Sequence, residues 1–63
     1  MKVLKAIAKD DLNAHPHTWT KGLDYEWIDN EDYFTLASNE GSINYLNKVR
    51  EAVAIEFELI EEV

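Results

Sequence analysis

The chain has 63 residues, of which 46% are hydrophobic and 11% aromatic, and it contains no cysteine. This length predicts a single domain, residues 1–63, whose stability must come from a compact core of large side chains rather than from disulfides. Four lysines against two aspartates give residues 1–21 a charge of +2, whereas two basic residues against eleven carboxylates give residues 22–63 a charge of −9. This balance argues against direct binding to nucleic acid or to anionic membranes.

The N-terminal residues do not read as a targeting or membrane-spanning segment. No run of about 18 apolar residues is present, so we expect no membrane span. Lys5 and Lys9 interrupt the first apolar stretch, which argues against a signal peptide. The sequence therefore predicts a cytoplasmic protein.

Alternation of apolar and polar residues predicts the strands. In residues 2–9 one face carries Leu4, Ala6 and Ala8, which favours a strand over the competing helix. Residues 10–19 read as a long loop anchored by Leu12 and Trp19. The other predicted strands are, in chain order, 23–28 with Leu23, Tyr25 and Trp27 inward, 33–38, 42–46, and 55–60 with Ile55, Phe57 and Leu59 inward.

Turns and one helical segment connect these strands. Residues 20–22 read as a turn in which Gly22 is free to take positive φ, and residues 29–32 form an acidic hairpin turn. Asn39, Glu40 and Gly41 form a second hairpin loop, of three residues. Residues 47–54 predict one or two helical turns with Asn47 as the N-cap and Arg50 facing water. Residues 61–63 are expected to fray.

These elements predict an all-β fold class. Five strands, a long loop after the first and a helical turn before the last match an SH3-like five-stranded, partly open barrel with one short helical turn before the last strand. In this arrangement the first and last strands pair.

The stretch Thr20–Trp27, TKGLDYEW, is similar to a T-x-G-K-x-Y-E-V pattern. It is followed in matching order by Asn39-Glu40-Gly41, by Tyr45 and by the segment Phe57–Ile60. Over most of residues 2–61 the chain thus resembles the small SH3-like barrel proteins encoded by phages and prophages of Gram-positive bacteria. Leu23 and Trp27 depart from the pattern, both as changes in packing. The resemblance implies an accessory phage product that acts on host or defence proteins in the host cytoplasm, and it carries over no catalytic residue.

The residues give no pattern for catalysis. There is no activated serine or cysteine arrangement, no glycine-rich phosphate loop and no nucleotide motif. A chain of this size also has little room for a desolvated pocket. We expect no enzyme and no cofactor.

Metal binding is also not expected. His15 and His17 supply two imidazoles, and a metal site needs three or four ligands. Asp29, Glu31 and Asp32 do not have the twelve-residue spacing of a calcium loop. Both groups read as solvated loop residues.

We expect a partner to bind at the loop before Trp19 and at the acidic turn. Trp19 and Tyr33 are the aromatics predicted to lie at the surface. The predicted partner-binding residues are His15, His17, Trp19, Asp29, Glu31, Asp32, Tyr33 and Glu40.

The predicted function is that of a small acidic interaction protein. It binds and modulates or inhibits a host protein with a basic surface, such as a defence or nucleic-acid-handling factor. The acids of residues 24–32, 40 and 51–62 would dock on that surface. The predicted oligomeric state is a monomer or a homodimer. Two alternative functions are those of a structural or self-assembling small β protein and of a small-molecule or metal binder using residues 10–19.

Overall fold

The computed structural model describes residues 1–61 and consists mainly of β-strands, which confirms the all-β prediction. The fraying expected at 62 and 63, and the acid at position 62, lie outside the described residues, whereas Glu61 ends the last strand. The elements are, in chain order, β1 (Lys2–Ala8), β2 (Leu12–Ala14), β3 (His17–Trp19), β4 (Asp24–Asp29), β5 (Tyr33–Ser38), β6 (Gly41–Leu46), a turn of 3-10 helix (Asn47–Val49), α1 (Arg50–Ala54) and β7 (Phe57–Glu61).

Five strands form one antiparallel sheet in the order β6-β5-β4-β1-β7. Strand β1 lies between β4 and β7, with Ala8 opposite Phe57, so the first and last strands pair. Strands β6 and β7 are the two edges, and within residues 1–61 no hydrogen-bonded ladder joins them. The sheet is therefore open between its edges.

Aromatic side chains fill the core because alternation turns them to one face of the sheet. The rings of Trp27 and Phe34 stack with centroids 4.4 Å apart, and Phe57 meets Trp27 edge-on at 6.2 Å. Such pairs contribute more than the buried area alone. The buried residues are Leu4, Ala6, Ala8, Trp19, Tyr25, Trp27, Phe34, Leu36 and Phe57.

Residues 10–19 are not an irregular loop, and that prediction is wrong. They contain the hairpin of β2 and β3, in which Leu12 pairs with Trp19. Each strand has three residues, which is too short for alternation to reveal it in the sequence. Leu12 and Trp19 do anchor the segment, since Trp19 meets Phe57 edge-on and Leu12 packs on the core.

The helical segment before β7 lies where the sequence predicts it, but two of its residues behave differently. Leu46 rather than Asn47 occupies the N-cap position, so that prediction is wrong, and the Asn47 side chain instead donates to the Glu31 carbonyl oxygen at 2.8 Å. Arg50 is half-buried rather than turned fully to water, because it forms an ion pair with Asp29. No described part of the chain forms a helix long and apolar enough to cross a membrane.

At the ends of the strands, some local predictions are confirmed and others are wrong. Gly22 has φ +84°, as its turn requires. Leu23 and Ile55 are exposed rather than inward, because each lies just outside its strand, where the alternation has not begun. Ser38 pairs with Gly41, so the connection between β5 and β6 has two residues rather than three.

Candidate functional site

The eight predicted partner-binding residues lie at opposite ends of strand β5. At one end are Asp29, Glu31, Asp32 and Tyr33; at the other are Glu40 and the β2–β3 hairpin with His15, His17 and Trp19. A strand of six residues spans roughly 17 Å. The structure therefore separates these residues into two groups rather than one surface.

Residues 29–32, here called the acidic turn, have a backbone held on both sides. The Asn30 N–H donates to the Tyr33 carbonyl oxygen at 2.9 Å, which closes the turn. Asn47 donates its backbone N–H to the Asp32 carbonyl oxygen at 3.2 Å and its side-chain amide to that of Glu31 at 2.8 Å. A turn so connected presents its side chains from a fixed frame.

Asp29 is the structural member of the acidic turn. Its carboxylate accepts two hydrogen bonds from Arg50, at 2.9 and 2.8 Å, and one from Trp27 Nε1 at 2.9 Å. The Arg50 guanidinium also lies 5.3 Å from the Trp27 ring centroid. The hydrogen bond from Arg50 lowers the pKa of Asp29 and outweighs the burial that raises it; the same bond raises the pKa of Arg50. The prediction that Asp29 is a solvated loop residue is therefore wrong.

Glu31, Asp32 and Tyr33 project into solvent. Within residues 1–61 neither carboxylate takes part in an ion pair. Tyr33, 41% exposed, lies directly opposite Leu46, which is 58% exposed. An exposed apolar pair thus adjoins two exposed carboxylates.

At the other end of β5, Glu40 ties the hairpin to the sheet. Its two carboxylate oxygens accept from the backbone N–H and the hydroxyl of Thr18, both at 2.6 Å. These bonds lower the pKa of Glu40, the side-chain bond most. His17 Nδ1 lies 2.7 Å from Ser38 Oγ, a second link between the same segments. His17 and Glu40 thus have structural partners, whereas His15 is exposed.

Trp19 is buried, with 4% exposure, so its predicted surface position is wrong. Its Nε1 donates to the Ala37 carbonyl oxygen at 2.7 Å, which satisfies the polar end of the indole inside the fold. Trp19 also lines the cleft described below.

The described residues contain no group of three or more potential metal ligands. His17 Nδ1 is already close to Ser38 Oγ, which leaves Nε2 as its other ring nitrogen. The expectation that no metal binds here stays a prediction.

A cleft of about 240 Å³ opens between the β2–β3 hairpin and α1. Its floor is formed by Trp19, Leu36 and Phe57. The walls of the cleft are formed by Leu12, Asn13, Ala14, Tyr45, Ala52, Val53 and Glu56.

We expect Tyr25→Phe to destabilise the protein by about 1–2 kcal/mol, because two hydrogen bonds lose their partner. The Tyr25 hydroxyl accepts from the Thr20 N–H and donates to Asn39 Oδ1, both at 2.8 Å. Urea unfolding measures the change. Tyr33→Phe is the matched control and should change stability by less than about 0.5 kcal/mol. Equal effects of the two substitutions would contradict this prediction.

Comparison with protein-family models, curated proteins and solved structures finds no match for this chain. Of the residues around the acidic turn, sequence reasoning missed Leu46, Asn47 and Arg50. The position of Leu46 could have been predicted from the sequence. If the β5–β6 hairpin has a two-residue turn, its pairing register places Leu46 opposite Tyr33. The contacts of Asn47 and Arg50 could not have been predicted, because 16 and 21 residues separate them from their partners.

Proposed function

We propose that this chain is a non-catalytic interaction protein that docks its acidic turn on a basic surface of a partner protein. The observation that carries the proposal is the pair of exposed carboxylates, Glu31 and Asp32, on a turn pinned by Asn47. Beside them the exposed Tyr33–Leu46 pair supplies apolar contact. Such an arrangement supports binding because little conformational entropy remains to be lost when the partner docks.

The order of connections supports an SH3-like arrangement within this proposal. The connection after β1 contains a hairpin, β4, β5 and β6 follow as a meander, and a helical segment precedes β7. Together with the resemblance of Thr20–Trp27 to small phage and prophage proteins, this favours a phage-type protein whose partner belongs to the host. The proposed host partner is a defence or nucleic-acid-handling factor, because proteins that bind nucleic acid carry basic surfaces to which an acidic protein can bind.

Charge supports the same proposal. Residues 22–63 carry −9, and of the described carboxylates only those of Asp24, Asp29 and Glu61 are engaged in ion pairs. The resulting negative potential attracts a basic partner over distances set by salt.

We expect capture of a protein from lysates of Gram-positive bacteria to fall steeply between about 50 and 300 mM salt. Immobilised chain is the bait, and mass spectrometry identifies what is retained. Bait with Glu31→Gln and Asp32→Asn should retain roughly tenfold less of the same protein. Retention that ignores both salt and these substitutions would overturn the proposal.

A second candidate function is self-assembly, which one observation favours. Strands β6 and β7 are sheet edges with no strand beyond them in the described residues. Glu58 on β7 opposes strand addition there, as charges on edge strands do. Light scattering at two protein concentrations separates a monomer or homodimer from a growing assembly.

A further inference from the structure

The cleft between the β2–β3 hairpin and α1 has an apolar floor and a size suited to one large side chain. Trp19 and Phe57 are 4% exposed and Leu36 is fully buried, so the floor is part of the packed core. A dry apolar cavity of about 150 Å³ accepts benzene, whereas whole small-molecule sites occupy about 300–1,000 Å³. At about 240 Å³ the cleft lies between these sizes.

A carboxylate stands at the rim of this cleft. Glu56 lines it and is exposed, and within residues 1–61 its carboxylate is in no ion pair. The backbone of Glu56 is held by Lys9, whose N–H donates to the Glu56 carbonyl oxygen at 3.1 Å. Lys9 itself forms no ion pair in the same range. The rim thus offers a negative charge beside an apolar recess.

We propose that the cleft binds one aromatic or branched aliphatic side chain from a peptide segment of the partner, while an adjacent lysine or arginine of that segment pairs with Glu56. The inference rests on the proposed function, since it names a second contact with the same basic partner. Buried anchors of this kind dominate binding energy at protein interfaces.

The helical segment connects this cleft to the acidic turn. Asn47 and Arg50 contact the turn, whereas Ala52 and Val53 line the cleft. From Asn47 to Val53 the segment rises roughly 10 Å, a distance that three or four extended residues span. One basic segment of a partner is therefore long enough to engage both.

The probe is the blocked peptide acetyl-Ala-Arg-Phe-Arg-Ala-amide, followed by two-dimensional NMR of the ¹⁵N-labelled chain. We expect saturable shifts at the Trp19 indole N–H and at the amides of Ala14 and Val53. Replacing the peptide's phenylalanine by alanine should weaken binding roughly tenfold. Replacing both of its arginines by serine should weaken binding roughly threefold.

Two variants test the cleft itself. Ala52→Leu fills the mouth from an exposed position of α1, so the fold is retained, and it should weaken the peptide roughly tenfold. Glu56→Gln should weaken it roughly threefold. The matched control Glu58→Gln removes the same charge two residues away, outside the cleft, and should leave binding unchanged.

The inference would be overturned by no shifts at several millimolar peptide, by equal binding of the peptide to the Ala52→Leu variant, or by toluene saturating the cleft as readily as the peptide. Shifts confined to Glu31, Asp32 and Tyr33 would also overturn it, while leaving the proposed function intact. Cleft shifts that persist in the Glu31→Gln, Asp32→Asn variant support the cleft contact. Failure of salt-sensitive lysate capture counts against the acidic turn alone, so the two proposals fail separately.

Discussion

The Trp27→Ala variant should lack a cooperative unfolding transition at 25 °C. Trp27 is fully buried, stacks on Phe34, meets Phe57 edge-on and lies beneath the Arg50 guanidinium. Truncating a buried tryptophan costs about 3–5 kcal/mol. A 63-residue chain has roughly 3–9 kcal/mol of stability in total. The loss is therefore comparable to everything that keeps the chain folded.

Urea unfolding followed by circular dichroism measures this effect. The control is Tyr33→Ala, which removes an aromatic ring from the exposed face and should cost less than about 1 kcal/mol. A Trp27→Ala protein that unfolds cooperatively with a loss below about 1 kcal/mol would contradict the account of the core.

The Asp29→Ala variant should be less stable than the wild type by about 1–3 kcal/mol near neutral pH. The substitution leaves the half-buried Arg50 guanidinium and the Trp27 indole N–H without their acceptor. Asp32→Ala, in the same turn, removes an exposed carboxylate and should change stability by less than about 0.5 kcal/mol. Equal effects at the two positions would show that Asp29 has no special role.

The contribution of Asp29 should disappear in acid. Its pKa in the folded protein lies below the ordinary value of 3.8, so the unfolded chain takes up the proton first as pH falls. The stabilisation is thus complete well above pH 3.8 and is lost as pH falls through the folded pKa. We expect the stability difference between wild type and Asp29→Asn to shrink over this window, as measured by urea unfolding at a series of pH values. A difference that grows on acidification would contradict the assigned ion pair.

Much of the fold could be predicted from the sequence because apolar and polar residues alternate along its longer strands. Tyr25 and Trp27 occupy alternate positions of β4 and are both buried, and β1 shows the same pattern with Leu4, Ala6 and Ala8. The hairpin of β2 and β3 escaped because three residues per strand show no period. Trp19 escaped with it, since the face of a residue is undefined until its strand is recognised.

The different roles of the three acids in the acidic turn, one in an ion pair and two exposed, could not be predicted from the sequence. In the sequence, Asp29, Glu31 and Asp32 are similar acids in one short segment. The structure distinguishes them through Arg50, which lies 21 residues from Asp29 in the sequence and contacts it only in the folded chain. Long-range side-chain contacts of this kind leave no periodic signal, whereas the exposure of Glu31 and Asp32 agrees with the hairpin turn that the sequence predicts.

The most direct test of the account compares lysate capture by two baits of equal charge at about 50 mM salt. One bait carries Glu31→Gln and Asp32→Asn in the acidic turn. The other carries Glu58→Gln and Asp10→Asn, which are both remote from Asp29. Asp29 pairs with the first residue of β1, whereas Glu58 pairs with Ile7 near the end of β1 and Asp10 follows that end. The account predicts that the first bait loses the captured protein and the second retains it at the wild-type level. Equal retention by both baits, or equal loss, would show that the acidic turn is not the binding surface.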